Sequence, residues 1–235
     1  MSDLDRAVEE IHKRRPRRVV AFTGSGISAD SGIPTFRGPD GLWRNFRAED
    51  LATPEAFQRD APLVWEWYEW RRDIIRKAQP NAAHTAIARL PDAVVVTQNV
   101  DGLHERAGSR DVVELHGNIF RVRCVRENKT FVREEPLHRF PPRCECGAML
   151  RPDVVWFGEM LPEDAIARAS AAIMGADLLL VIGTSGVVYP AAGLISLHRG
   201  LSVEVNPQPG RACTLAIAAR AAETVPVLVE AVLEI

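Results

Sequence analysis

Short apolar runs at 19–22, 94–96, 178–182 and 203–205 each stop at turn-forming residues. The longer of them are apolar throughout, so both faces of the strand must be buried, and helix-patterned stretches lie between them. A chain patterned this way is expected to fold as an α/β protein with a doubly wound parallel sheet. Its 235 residues are enough for one such domain carrying an insertion.

Two regions break the rhythm. Residues 38–80 hold four of the five tryptophans and a predicted helix at 63–77 that contains no Gly or Pro. Residues 120–152 are rich in Arg, Pro and Cys without a helical period. The expected division is a sheet domain over 1–37, 81–119 and 153–235, with a smaller lobe made of the helical excursion 38–80 and a ribbon-like insertion 120–152.

A formal charge of -2 argues against a general nucleic-acid binder, which needs a surplus of cations to displace counterions. The basic run at 13–18 is expected to be a solvated lead-in to the first strand. No apolar stretch reaches membrane-spanning length, and the acidic N-terminus lacks the order of a signal peptide. The chain is therefore expected in the cytoplasm, without a membrane partner. Cys124, Cys144 and Cys146 lie close together in sequence, which fits a thiolate metal site in a reducing compartment. Cys213 stands alone and is expected to be a small buried apolar residue.

After the first strand comes Gly24-Ser25-Gly26-Ile27-Ser28-Ala29, small residues that let backbone amides approach a pyrophosphate. By itself this pattern also suits a tight turn with no ligand. A nicotinamide dehydrogenase would next show a second strand ending in an acidic residue about 20 positions on. The chain runs instead through Ser31-Gly32-Ile33-Pro34-Thr35-Phe36-Arg37-Gly38 and Gly41-Leu42-Trp43, too rich in Gly and Pro for a strand. A dinucleotide would be held differently here, with Phe36 and Arg37 aimed back toward it.

These loops resemble the cofactor loop of the sirtuins, NAD-dependent lysine deacylases. Further blocks follow in that family's order: Thr97-Gln98-Asn99-Val100-Asp101, Glu114-Leu115-His116-Gly117, Arg151-Pro152-Asp153-Val154-Val155-Trp156-Phe157-Gly158-Glu159, Gly183-Thr184-Ser185 and Val205-Asn206-Pro207. The resemblance runs from about residue 17 to the end. It implies a Rossmann-like domain with a zinc-ribbon-like small lobe, and a reaction in which the nicotinamide–ribose bond breaks and an acyl-lysine oxygen captures the sugar carbon. It implies His116 as general base, with Asn99 orienting ribose or a water. Asp101 would anchor the nicotinamide carboxamide, beside Gln98. The dinucleotide would also touch Gly24, Ser25, Gly26, Ser28, Pro34, Phe36 and Arg37. Gly183, Thr184, Ser185 and Asn206 would hold phosphates and the adenosine ribose, and Ala221 or Ala222, ahead of a last helix beginning near Thr224, would lie by the adenine. Val154, Val155, Phe157 and Gly158 would pair with the backbone of an acylated peptide as an added strand. His84 is expected to pack or cap, and the remaining histidines to lie at the surface.

Tyr68 and Arg71 are three apart on the predicted helix, so their side chains share a face. A guanidinium and a phenol together suit a carboxylate, and Tyr-x-x-Arg resembles the mark of sirtuins that remove succinyl and malonyl groups. Thr35, where many deacetylating relatives carry Asp, points the same way. On spacing alone, an amphipathic helix with Tyr68 partly buried and Arg71 in a surface ion pair explains the pattern better, and the family resemblance reverses that order.

Sirtuins usually hold a structural zinc with two Cys-x-x-Cys pairs. Here the pairs read Cys124-Val125-Arg126-Glu127 and Cys144-Glu145-Cys146, so three thiolates remain. Glu127, His138 or a water would complete a four-ligand site; otherwise packing alone holds the insertion. A catalytically silent module binding NAD or ADP-ribose is disfavoured by the intact His116 and Gln98-Asn99-Val100-Asp101 block, and an NAD dehydrogenase by the missing second strand and acidic residue; a mono-ADP-ribosyl transferase stays open, since another nucleophile could trap the same cation.

Overall fold

A computed structural model describes residues 1–35, 43–44, 46–186, 189–210 and 213–235. In chain order its elements are α1 (Asp3–Arg14), β1 (Val19–Thr23), a 3-10 helix (Ser25–Ser31), α2 (Ala48–Leu51), α3 (Pro54–Arg59), α4 (Ala61–Lys77), α5 (Ala82–Ala88), β2 (Val94–Thr97), α6 (Leu103–Ala107), β3 (Asp111–Glu114), β4 (Gly117–Cys124), β5 (Thr130–Val132) and β6 (Leu150–Val154). There follow α7 (Glu163–Gly175), β7 (Leu178–Ile182), a second 3-10 helix (Ala191–Leu197), β8 (Leu201–Val205), β9 (Leu215–Ile217) and α8 (Ala221–Leu233).

The main sheet is parallel, in the order β3-β2-β1-β7-β8-β9. Every residue of β1, β7 and β8 is buried, because alternate side chains feed two separate cores. Val19, Ala21, Leu178, Leu180 and Ile182 pack with α1, α5 and α8, whereas Val20, Phe22, Leu179 and Val181 pack with α7 and the 191–197 helix. The expected doubly wound sheet is present. The sequence reading did not foresee its two edge strands, β3 and β9. Strand order reverses between β1 and β7, which opens a crevice at the carboxyl ends of the strands, the usual ligand site of such sheets.

The smaller lobe packs α2, α3 and α4 against a three-stranded antiparallel sheet, β5-β4-β6. α4 starts where Asp60 accepts a hydrogen bond from the Leu63 amide (3.0 Å) and Pro62 occupies the first turn. It is stitched to the ribbon by the Trp65 indole on the Leu150 carbonyl (2.9 Å) and by buried Arg72 on the carbonyls of Arg133 and Glu135. Among the described residues no helix is long and apolar enough to cross a membrane.

Candidate active site

The turns leaving the strands converge at the crevice. Gly24 and Gly26 follow β1, and Gly183 follows β7. The Gly26 amide donates to the Gly183 carbonyl (2.9 Å). A Cβ on Gly183 would lie 2.3 Å from the Ile27 nitrogen, and one on Gly26 would lie 2.7 Å from the Gly183 Cα. Only backbone without side chains can pack this closely, so the two turns form one narrow cradle. From the neighbouring strand ends, Gln98 Nε2 donates to Thr184 Oγ1 (3.0 Å) and Asn206 Nδ2 to the Thr184 carbonyl (2.7 Å). These bonds tie the exits of β2, β7 and β8 together.

Behind the cradle lies a buried polar cluster. Ser28 Oγ donates to Asp101 Oδ2 (2.8 Å), and the Leu103 amide donates to Oδ1 (2.9 Å). Asn99 Nδ2 bonds both the Gly24 carbonyl and Ser28 Oγ, at 3.2 Å each. Burial pushes the Asp101 carboxyl up, opposed by those two donors and by the Arg71 and Arg106 guanidinium groups. A carboxylate offers about four lone-pair sites, and these two donors use two of them among the described residues.

His116 sits just past β3 with Nδ1 2.8 Å from the Gln98 carbonyl. A carbonyl only accepts, so Nδ1 carries the hydrogen and Nε2 is the basic nitrogen. Burial pulls its pKa down and the Gln98 bond pulls it partly back. The imidazole is therefore neutral, and basic, at pH 7.

His84 behaves as expected: it accepts the Asn81 amide (3.4 Å) in the cap of α5 and faces Ser28 Oγ at 3.5 Å. His104 corrects the expectation of a surface histidine. It is 1% exposed, with Nε2 3.0 Å from Thr23 Oγ1 and its ring centroid 4.9 Å from that of His84. Helix α6 is too short to show the period that would have marked this side as inward.

Burial lowers the pKa of His84 to about 4, and burial with the His84 charge lowers that of His104 to about 3. The folded chain resists protonation that the unfolded chain accepts near the ordinary value of 6.5. Stability is thus intact above pH 6.5 and falls as pH drops from there toward 4. Each histidine costs about 2 kcal/mol by pH 5. The raised carboxyls of Asp101 and Glu105 offset part of this, so the comparison to make is with His104→Gln. Urea midpoints at pH 7 and pH 5 should separate less for the variant than for the parent; equal separations would contradict the assignment.

Tyr68 and Arg71 lie side by side under the cluster. Tyr68 is fully buried, and its hydroxyl accepts from the Trp156 indole (2.9 Å), leaving the phenolic hydrogen to donate elsewhere. The Arg71 guanidinium carbon lies 4.8 Å from the Trp67 ring and 5.5 Å from the Tyr68 ring. Burial lowers the Arg71 pKa, countered by Tyr68 and Asp101. Its charge is thus felt at Asp101, and the guanidinium lies against the Trp67 and Tyr68 rings.

The segment after β6 departs from the expected added strand. The Val155 amide bonds the His116 carbonyl (3.0 Å), the Trp156 amide bonds Glu159 Oε2 (2.9 Å), and the Phe157 amide bonds the Ala52 carbonyl (2.9 Å). Val154 is already paired with Gly117. Donors at 155–157 are spent inside the chain, so exposed backbone begins at Gly158, beside the half-exposed Phe157 side chain.

In the ribbon, donor atoms of Cys124, Cys144, Cys146 and Glu127 all lie within 4.8 Å of one another, and the Sγ atoms of Cys124 and Cys146 are 3.5 Å apart. Tetrahedral zinc with thiolates at about 2.3 Å separates its ligands by roughly 3.8 Å, so this set fits. His138 is exposed and outside the cluster.

The Sir2 family profile matches residues 24–190. The chain belongs to the Sir2 family. The NAD-dependent protein deacylase 2 of Pyrobaculum aerophilum is 53% identical over 227 residues, covering 92% of this chain and 91% of that protein. A Sir2 homolog solved with NAD superposes with a TM-score of 0.90 at 45% identity, over 96% of this chain and 94% of that one. A Sir2 protein bound to acetylated peptide gives 0.82 at 31% identity, over 95% and 97%.

In this sirtuin, Gly24, Ser25, Gly26, Ser28, Gln98, Asn99, Asp101, His116, Gly183, Thr184, Ser185 and Asn206 all lie at the carboxyl edge of the sheet. Phe36 and Arg37 lie outside the described residues; Pro34 is just inside them. Helix α8 begins at Ala221, not near Thr224, and Arg220 Nε donates to Asp30 Oδ1 (3.0 Å), which draws the helix start toward the first 3-10 helix.

Proposed function

We propose that the chain removes acyl groups from lysine side chains in an NAD-dependent reaction, transferring them to ADP-ribose with release of nicotinamide, and that it favours acyl groups ending in a carboxylate. The observation that carries this reading is His116: a neutral imidazole whose Nδ1 is held by the Gln98 carbonyl, so that Nε2 is basic at the same edge of the sheet as the glycine cradle and Asp101. The Gly24–Gly26 and Gly183 turns, with Ser25, Thr184 and Ser185, take the phosphates, and Asn206 with Ala221 takes the adenosine end. Pro34, with Phe36 and Arg37 outside the described residues, would contact the dinucleotide by their match to the family's cofactor loop. Asp101 receives the carboxamide on its spare lone pairs, and Asn99 and Gln98 line the ribose. Bound there, the dinucleotide supplies the glycosidic bond whose cleavage makes the ribose an acyl acceptor. His116 Nε2 takes the proton from a ribose hydroxyl. Burial around Tyr68, Trp67 and Trp156 excludes water from the acyl group.

The acyl preference rests on Arg71 and the phenolic hydrogen of Tyr68, which together offer a carboxylate charged and neutral donors. The peptide enters along Val154, Val155, Phe157 and Gly158, with main-chain pairing from Gly158 onward. Incubation with NAD and an equimolar pair of succinyl-lysine and acetyl-lysine peptides tests the reading: the succinyl peptide is expected to be consumed first. Faster loss of the acetyl peptide would reverse the preference.

Cys124, Cys144, Cys146 and Glu127 would hold a structural zinc, with Lys129 Nζ 3.2 Å from Glu127 Oε2 orienting the carboxylate. Clustered cysteines at a metal site suit a reducing compartment such as the cytoplasm. Loss of outer-shell partners at metal sites costs about ten- to a hundredfold in affinity, so removing a direct ligand should cost at least as much. Glu127→Ala should therefore surrender zinc to a chelating dye well below the concentration needed for the parent. Identical zinc release would assign the fourth position to another group.

A further inference from the structure

We propose that His104, which touches none of the reacting groups, is a positioning residue that holds His116 and Asn99 in place through Thr23 and Thr97. The inference rests on the reading of His116 and Asn99 given above, and it adds a residue that reading does not use. Thr23 and Thr97 are the last residues of adjacent strands β1 and β2, both buried and in register. Thr23 Oγ1 donates to Thr97 Oγ1 (2.9 Å), so it must accept from His104 Nε2 at 3.0 Å. This makes His104 the Nε2–H tautomer, with Nδ1 buried and bonded to nothing among the described residues. Thr97 Oγ1 in turn accepts the Asn99 amide (3.0 Å).

Gln98 is thereby bracketed. Its own amide donates to the Thr23 carbonyl (3.0 Å), and its neighbours on both sides are fixed by the same threonine hydroxyl. The Gln98 carbonyl is the acceptor that sets the tautomer of His116. From the other side, the Leu115 amide bonds the Thr97 carbonyl (2.9 Å), which places His116 one residue further on. A displaced Thr97 would therefore move both the acceptor and the imidazole it orients. Small misplacements of this kind, away from the reacting atoms, cost on the order of a hundredfold in rate.

The test compares His104→Leu, His104→Gln and Thr23→Val with the parent, using nicotinamide release for kinetics and nitrogen-15 spectra of the histidine rings for the tautomer. The glutamine amide keeps a donor toward Thr23; valine keeps the shape of Thr23 without its hydroxyl. His104→Leu and Thr23→Val should each lower kcat by roughly ten- to a hundredfold with the peptide KM unchanged, and His116 should show mixed tautomers. His104→Gln should recover most of the rate and the single Nδ1–H form. Equal losses in the leucine and glutamine variants, with His116 unchanged, would overturn the proposal, as would a fully active His104→Leu. If His104→Leu does not fold, Thr23→Val decides alone. An inactive parent would sink the functional reading instead, while the His116 spectra would still report on the ladder.

Discussion

Replacing His116 with Ala is expected to slow acyl transfer by about a hundred- to ten-thousandfold, the usual contribution of a positioned general base, while NAD still binds. The phosphates and carboxamide would meet the glycine cradle and Asp101, none of which needs the imidazole. The loss should fall on kcat, because the proton is taken only as the reaction proceeds. The pH profile carries the same information. Burial holds the His116 pKa below its ordinary value of 6.5, so the base form persists at lower pH, and the acidic limb of kcat should lie below 6.5. Single-turnover rates with calorimetric NAD binding check both halves. A variant as fast as the parent would remove His116 from the chemistry.

Arg71→Met is expected to reduce kcat/KM for a succinyl-lysine peptide by roughly ten- to a hundredfold, which corresponds to about 1.5–3 kcal/mol for hydrogen bonds to a charged group. The acetyl-lysine peptide, with no carboxylate to receive the guanidinium, should change little. Methionine preserves much of the stem volume against Trp67 and Tyr68. The selectivity of the loss is the diagnostic quantity. Arg71 also acts on the Asp101 charge, so an equal loss on both peptides would show that it serves the cofactor pocket and not the acyl group.

How much of this was legible in the sequence follows from burial. Strands β1 and β7 are covered on both faces and read as continuous apolar runs; the edge strands are short and partly exposed, β3 offering only two valines and the Leu-Ala-Ile of β9 merging into the alanines that follow. Spacing placed Tyr68 and Arg71 on one face of α4. Only the folded chain shows Trp67 packed against both and the Trp156 indole bonded to the Tyr68 hydroxyl. The fourth group near the three thiolates was one of three candidates until the turn at Cys124 brought the Glu127 amide 3.4 Å from Cys124 Sγ and its carboxylate into the cluster. His104 was invisible, since its partner Thr23 lies 81 positions away and is linked to Thr97 only through the parallel pairing of β1 with β2.

The central claim is that release of nicotinamide and loss of the acyl group are one event. Its most direct measurement is the stoichiometry of the two products, by chromatography and mass spectrometry, when the purified protein is given NAD and a succinyl-lysine peptide. The account predicts one nicotinamide per deacylated lysine, with the succinyl group recovered on ADP-ribose. Nicotinamide formed while the peptide stays acylated, or NAD bound with neither product appearing, would contradict it.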